Sequence, residues 1–263
     1  MSNGIYIVAN DKYYEEAVAC INSIRLYDPL IPIICIPYDE SFQLMYGFCS
    51  RNKIGIFEDI RLLRNIERNV RKYLPHIRHP ARLRNLACWL GPFKQFIYMD
   101  ADIVVFEKIA EIMDWLDTYD LVHSDNQYHT GIRWVFNDCV PLSKEKRNNV
   151  FNCGMWASKS SLLNAQMIIR LLKQCGEHTE YFCKENGVSA QPIINWLALS
   201  SNWNIANLNK IAGFPPSWAG NPAFNRKGFT LYYGTQPLKY LHWAGRDVKN
   251  NYNFTWKFFR ELS

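Results

Sequence analysis

Short apolar runs that alternate with helix-period segments constrain this chain more than any other feature. Residues 4–9, Gly-Ile-Tyr-Ile-Val-Ala, form a β-rich run that ends at Asn10-Asp11, a turn and helix-capping signal. Ala17, Val18, Ile21 and Ile24 follow at helical spacing. Residues 31–36 read as a second strand, with Pro32 arguing for a strand start or a sheet edge, and residues 41–53 as a second helix. This order predicts an α/β chain with a mostly parallel, Rossmann-like central sheet flanked by helices, whose ligand site lies beyond the carboxyl ends of the strands. At 263 residues the chain is near the upper end of what one core organises, so one domain over residues 1–263 is expected.

Within that frame, residues 95–106 read Gln-Phe-Ile-Tyr-Met-Asp-Ala-Asp-Ile-Val-Val-Phe. A buried strand arrives at Asp100 and a second extended segment leaves Asp102. Side chains at i and i+2 of an extended chain share a side, so the two carboxylates can converge on one cation while Ala101 turns away. Two such oxygens suit a hard ion; the plainer alternative is a solvated turn between strands. Residues 120–125 predict another strand, which brings Asp125 to the same edge.

Between these elements the chain carries Arg61, Arg64, Arg68 and Arg71 on one helical face, opposite Ile60, Leu63, Ile66, Val70 and Leu74. This is a solvated face or a contact for an anionic membrane. Pro75 and Pro80 end that helix. A helix over residues 81–90 follows and directs Arg82 or Arg84 toward the carboxylates, where an Arg neutralises phosphate. Residues 109–116 and 160–175 read as helices, 151–157 as β structure with Gly154 at a bulge or a close approach, and 126–149 as loop. Ser189 is an N-cap signal for a helix with Pro192 and Gln191 in its first turn. Residues 230–233 and 238–242 predict a small additional β element, and 254–262 a terminal helix. The ring-rich residues 214–233 serve core packing or an acceptor.

The charge of +6 favours an anionic partner such as a nucleotide diphosphate, a lipid surface or nucleic acid and singles out none of them; among partners, no nucleic acid is expected. Eight cysteines (20, 35, 49, 88, 139, 153, 175 and 183) contain no Cys-x-x-Cys pair, which points to a reducing compartment. Residues 4–9 are too short for a signal-peptide core, and no uncharged run reaches the roughly 18 residues of a membrane span. The expectation is a cytoplasmic protein, with peripheral attachment at the inner face of a membrane as an option.

Taken in order, Ala9-Asn10-Asp11-Lys12-Tyr13, Tyr98-Met-Asp-Ala-Asp-Ile-Val, Phe151-Asn-Cys-Gly154, Ala190-Gln191 and His242-x-x-Gly245 resemble the motifs of retaining GT-A glycosyltransferases of the glycogenin and galactosyltransferase type, glycosyltransferase family 8. The resemblance covers most of the chain. It implies a GT-A fold with a nucleotide-binding half over about 1–125 and an acceptor and sugar half over about 126–263. It implies a metal-dependent hexosyltransferase that moves a sugar, with retention, from a nucleotide-diphosphate donor of the UDP-sugar type to an acceptor hydroxyl on a glycan, lipid, small molecule or protein. In this likeness Asp100, Asp102 and His242 are the ligands of Mn²⁺ or Mg²⁺. Ala9, Asn10 and Tyr13 hold the nucleotide, Ala101, Asn152 and Gly154 lie near the donor, and Gly245 closes the carboxyl-terminal motif. Arg84 and Arg246 meet the diphosphate, with Arg82 as the alternative to Arg84. Gln191 lies by the anomeric carbon, and Asp125 binds sugar or acceptor.

The sequence departs from the family pattern twice. Ala190 stands where the family carries an acid, and the Lys-Pro-Trp expected after Gly245 is absent. Each residue also has a plainer reading: His242 as a strand-end cap, Tyr13 as a core ring, Gly154 as a bulge, Asn152 as a turn, Gln191 as an ordinary first-turn residue. Two other functions compete. A sugar-phosphate nucleotidyltransferase would need a Gly-rich phosphate loop after the first strand, and residues 8–14 contain no Gly. A catalytically inactive nucleotide-sugar or glycan-binding module would be consistent with Ala190.

Overall fold

The computed structural model describes residues 2–124, 135–182 and 189–262. The strands are β1 (Gly4–Ala9), β2 (Ile33–Pro37), β3 (Gly55–Ile56), β4 (Gln95–Asp100), β5 (Ile103–Val105), β6 (Leu121–His123), β7 (Met155–Lys159), β8 (Ile205–Asn207), β9 (Phe224–Lys227), β10 (Thr230–Tyr233), β11 (Gln236–Pro237) and β12 (Tyr240–His242). Seven of them build one sheet in the order β3-β2-β1-β4-β7-β6-β8. Neighbours pair in parallel except at β7, which runs antiparallel to both β4 and β6. The expected mostly parallel sheet is therefore present. The small β element is the three-stranded sheet β11-β10-β9, and β12 pairs separately with β5.

Alternation along the central strands divides the core into two layers. Ile5, Ile7, Ile97 and Met99 point to one face, under the helix Tyr14–Tyr27, whose Ala17, Val18, Ile21 and Ile24 are buried. Tyr6, Phe96 and Tyr98 point to the other, where they meet Trp89 and Trp156 beneath the helix Ile60–Tyr73. Asp100 continues the second series, so the polar end of β4 lies on the side built from aromatic rings. A third cluster, with Trp243, Trp256 and Phe259, packs the terminal helix Asn253–Glu261.

Several local expectations change. Pro32 precedes β2 and gives its carbonyl to the Ile5 amide at 2.9 Å; the strand is interior, because Pro32 sits outside the ladder it would interrupt. Pro80–Leu90 and Ile109–Asp117 are 3₁₀ rather than α-helical. The strand expected over 151–157 begins at Met155, and the helix expected from 160 begins at Ala165, after a 3₁₀ turn and an Asn164 cap. Ser189 stands at the N-cap of Ala190–Ser200 without a capping hydrogen bond from its side chain. Asn10 caps the turn Asp11–Tyr13. Asp11 instead reaches across to the helix Gln43–Arg51, accepting from the Gln43 and Met45 amides at 2.8 and 3.0 Å. Helix amino-termini present unpaired N–H groups and a positive dipole end, which a carboxylate from elsewhere in the chain can satisfy.

The exposed face of Ile60–Tyr73 carries the four arginines, but Arg64 pairs with Glu40 at 3.4 Å and Arg71 with Glu67 at 2.7 Å. Among the described residues no helix is long and apolar enough to cross a membrane.

His123, at the end of β6, is fully buried, stacked on Phe151 with ring centroids 4.5 Å apart, and neither ring nitrogen has a hydrogen-bond partner among the described residues. Burial, helped by the charge of Lys210, pushes its pKa down to about 3. The unfolded chain takes up this proton near pH 6.5, the folded chain only near 3, so stability from His123 is complete above 6.5 and lost as pH falls between the two. The loss is about 1.4 kcal/mol per pH unit, or roughly 2 kcal/mol at pH 5. Urea midpoints at pH 7.5 and 5.0 should show this drop, and His123→Phe should shrink it. An equal drop in the variant would remove His123 as its source.

Candidate active site

The carboxyl edge of the sheet is where the chemistry-bearing side chains collect. In β4 the register Val8↔Asp100 sets the last residue of that strand beside the end of β1. The chain turns at Ala101 and returns as β5, and β12 pairs antiparallel with β5 so that His242 lies opposite Ile103. The Trp243 amide continues the ladder by donating to the Asp102 carbonyl at 3.1 Å. His242 Nε2 then stands 3.3 Å from Asp102 Oδ1 and 3.7 Å from Asp100 Oδ2. One ligand atom from each of the three residues lies within 4.8 Å of the others.

Two carboxylates so close cannot share equal charge. Burial and the neighbouring Asp102 raise the Asp100 pKa to about 6. Its side chain keeps 39 % of its surface open, so this is enclosure by the walls of a cleft rather than sealing from water. For Asp102 burial pushes the pKa up, but the charge and hydrogen bond of His242 outweigh it and the carboxyl falls below its ordinary value. Two oxygens and an imidazole nitrogen are a ligand set for Mn²⁺ or Mg²⁺, with the nitrogen favouring Mn²⁺. Adjacent ligands of an octahedral ion stand about 3 Å apart, so the observed spacing fits after small side-chain movements.

Gly154 explains how His242 reaches this position. A Cβ at 154 would lie 2.1 Å from His242 Cε1 and 2.7 Å from Nε2, so the ring occupies the space a side chain would need. The Asn152 side chain accepts from the Gly154 amide at 2.9 Å, closing a tight turn, and Gly154 gives its carbonyl to the Asp100 amide at 2.8 Å. Gln191 lies half-buried in the first turn of Ala190–Ser200. Asn195 of the same helix, fully buried, bonds both the amide and the carbonyl of Phe151 and also the Gln191 carbonyl. This bracket holds the helix start against residues 151–154. Asp125 lies outside the described residues.

At the end of β1, Ala9 and Asn10 are buried, and Asn10 donates to Asp39 at 2.7 Å. Tyr13 is 40 % exposed, with the Lys12 ammonium 5.4 Å from its ring centroid, which removes the core-ring reading. Arg84 and Arg82 divide sharply. Arg84 is buried and committed: it donates to the Pro37 carbonyl and to Glu67, both at 2.9 Å. Arg82 is exposed and hydrogen-bonded with Tyr38, and its charge acts on both Asp100 and Asp102. Of the two arginines, Arg82 is the one free to meet an anion at the carboxylates.

On the opposite wall Gly245 takes φ +67°, a left-handed turn suited to glycine. The exposed Arg246 that follows rests over the Trp218 ring, 5.1 Å from its centroid. Trp218 is 45 % exposed, bridges the backbone of His242, and donates to the Ala244 carbonyl. Sequence reasoning passed over Tyr38, Asp39 and Asn195, and took Trp218 only as one ring of residues 214–233. The first two directly follow β2 at the ligand edge, which was a usable signal, whereas Asn195 offered none.

No family model and no curated protein matches the sequence. Structural comparison does find relatives. The apo structure of the bifunctional glycosyltransferase WbbM matches over 100% of this chain with a TM-score of 0.61 at 14% identity. The galactosyltransferase LgtC in complex with donor and acceptor sugar analogues matches over 98% of this chain and 94% of its own, with a TM-score of 0.58 at 14% identity. An active-site mutant of LgtC gives a TM-score of 0.61 at 13% identity over the same shares. The chain has the GT-A fold. It spans 50% of the WbbM chain. In the GT-A frame the cluster of Asp100, Asp102 and His242, which could hold a metal, the exposed Tyr13 and Arg82 occupy the carboxyl edge of the central sheet, where open α/β sheets take their ligands.

Because the His242 ring fills the space beside Gly154, Gly154→Ala should displace the imidazole. Mn²⁺ affinity, read from the electron paramagnetic resonance of the free ion, should fall at least about tenfold. Unchanged affinity would show that His242 is not held by this contact.

Proposed function

We propose that the chain is a glycosyltransferase of family 8 type. It moves a hexose from a UDP-sugar to an acceptor hydroxyl with retention and depends on Mn²⁺ or Mg²⁺. The observation that carries this reading is the convergence of Asp100, Asp102 and His242 at the carboxyl edge of a GT-A sheet. Those three side chains would hold the cation, which when bound supplies positive charge to the departing diphosphate. Arg82 and Arg246 are the cations we assign to the negative charge that grows on the leaving group. Tyr13, Asn10 and Ala9 form the nucleotide shelf, and Asn152 and Gly154 border the donor sugar. Gln191, half-buried in the first turn of its helix, is our candidate for the anomeric carbon, and the family likeness alone supports Asp125 as a ligand of sugar or acceptor. The five buried thiols Cys20, Cys35, Cys49, Cys88 and Cys175 fit a reducing cytoplasmic setting. The basic face with Arg61 and Arg68 is the surface available for an anionic membrane.

A second reading, a nucleotide-sugar binder without turnover, draws on Ala190. This residue is 4 % exposed and presents no acid where the family carries one. Release of free UDP from a panel of sugar donors separates the two: turnover supports the enzyme, whereas donor binding with no release across several metals and acceptors supports the binder.

UDP should bind more tightly with Mn²⁺ than with EDTA in a calorimetric titration, and equal affinity would reject the metal assignment. Asp100→Asn combined with Asp102→Asn should abolish donor turnover while the far-ultraviolet dichroism stays that of the wild type; full activity would refute the mechanism. The two arginines should separate cleanly. Arg82→Ala should weaken UDP binding by about tenfold, the value of one charge-assisted contact, at an unchanged melting temperature. Arg84→Ala should lower stability by about 2 kcal/mol, because Glu67, which keeps Arg71, and the Pro37 carbonyl each lose a buried donor. A reversed pattern would return the phosphate role to Arg84.

A further inference from the structure

Asp100 divides its two carboxylate oxygens between different partners. Oδ1 accepts a 2.5 Å hydrogen bond from the Tyr98 hydroxyl, while Oδ2 faces His242 Nε2 at 3.7 Å. Tyr98 and Asp100 stand at i and i+2 of β4 and so share one face of the sheet. The phenol has little freedom to leave. Tyr98 is 3 % exposed, and its ring stacks on Trp156, its register partner in β7, with centroids 5.3 Å apart. Trp156 stacks in turn on Trp89 at 4.5 Å. The three rings belong to one buried cluster, which braces the hydroxyl against Oδ1.

From this geometry we propose that Tyr98 is a positioning residue that fixes Asp100 as a one-oxygen ligand. It thereby sets the ion preference of the site toward Mn²⁺ or Mg²⁺ and against Ca²⁺. The proposal rests on the metal reading of the site given above. Small octahedral ions take single oxygens at short distance, whereas Ca²⁺ takes more oxygens at longer distance and gains from carboxylates that offer both. For Asp100 to offer both, Oδ1 has to share its electron density between the ion and the Tyr98 hydroxyl and turn the carboxylate plane, which weakens the hydrogen bond of a buried phenol. The bond also holds the plane of the carboxylate, so that Oδ2 stays turned toward His242. Partners of this kind are known to tune ligand orientation and metal affinity. Tyr98→Phe removes the hydroxyl and keeps the stacked ring.

The test is a titration of the full chain at fixed UDP, with bound Mn²⁺ read by electron paramagnetic resonance and Ca²⁺ measured by competition. Wild type, Tyr98→Phe and Asp100→Asn are compared. Wild type should favour Mn²⁺ over Ca²⁺ by at least about tenfold. In Tyr98→Phe, Mn²⁺ binding should weaken by about tenfold while Ca²⁺ binding holds or strengthens, so the ratio narrows. A purely structural role for Tyr98 would weaken both ions by the same factor; an unchanged ratio, or unchanged Mn²⁺ affinity, overturns the proposal. Wild type that binds Ca²⁺ as tightly as Mn²⁺ overturns it without any variant. Absence of Mn²⁺ binding in wild type, matched by Asp100→Asn, instead overturns the metal reading beneath it.

Discussion

The antiparallel pairing of β12 with β5 is the interaction on which the site depends. β5 begins directly after Asp102, so whatever pairs with it is carried to the carboxylates. The register Ile103↔His242 and the bond from the Trp243 amide to the Asp102 carbonyl fix His242 there. The same ladder carries residues 217–219: the Ser217 carbonyl accepts from the His242 amide, and the Ala219 amide donates to the His242 carbonyl. Trp218 and Arg246 thus arrive with His242 as one unit. Gly154 completes the fit by leaving room for the imidazole ring.

Charge is distributed around this unit with a clear division of labour. Asp11 and Arg84 are spent on the scaffold, the first at a helix amino-terminus and the second in a buried pair with Glu67. Arg82 and Arg246 remain exposed, the first acting by its charge on both carboxylates and the second resting over Trp218. Asp100 and Asp102 titrate apart because they compete for the same enclosed space and only one of them has the closer contact with His242. A bound divalent ion would reverse that competition, since its charge favours both carboxylates in the ionised form. The aromatic layer behind Asp100 adds rigidity: Tyr98, Trp156 and Trp89 stack beneath the sheet edge where Asp100, Asp102 and His242 converge.

The sheet was legible because its signals are local. Apolar runs such as residues 4–9 and 95–100, and the helical spacing of Ala17, Val18, Ile21 and Ile24, read out strand and helix directly. The pair Asp100 and Asp102 was legible as two carboxylates at a strand end, although the structure puts Ala101 and Asp102 in a turn rather than on an extended strand. Helix type was less so: residues 80–90 and 109–117 are 3₁₀, and their apolar patterns do not separate that from α. Exposure decided two further points. Tyr13 is half out of the core, and of two arginines two positions apart, one points into the interior and the other to the anion side.

By itself, then, the sequence determined the α/β alternation, the carboxyl edge as the place for chemistry, and a carboxylate pair suited to a hard cation. Those properties follow from periodicities of two and 3.6 residues and from residue type. Only the tertiary structure decided which distant residues meet that pair. The bracket of Asn195 on Phe151, the exchange of Arg84 for Arg82 and the seating of Trp218 beside His242 all depend on long-range pairing. So does the hydrogen bond that divides the oxygens of Asp100, because the strand puts Tyr98 within reach but Trp156, from another part of the chain, holds its ring in place. Backbone pairing between segments far apart in sequence leaves no periodic trace in either segment alone, and that is why the carboxylate pair at one strand end could be read while its surroundings could not.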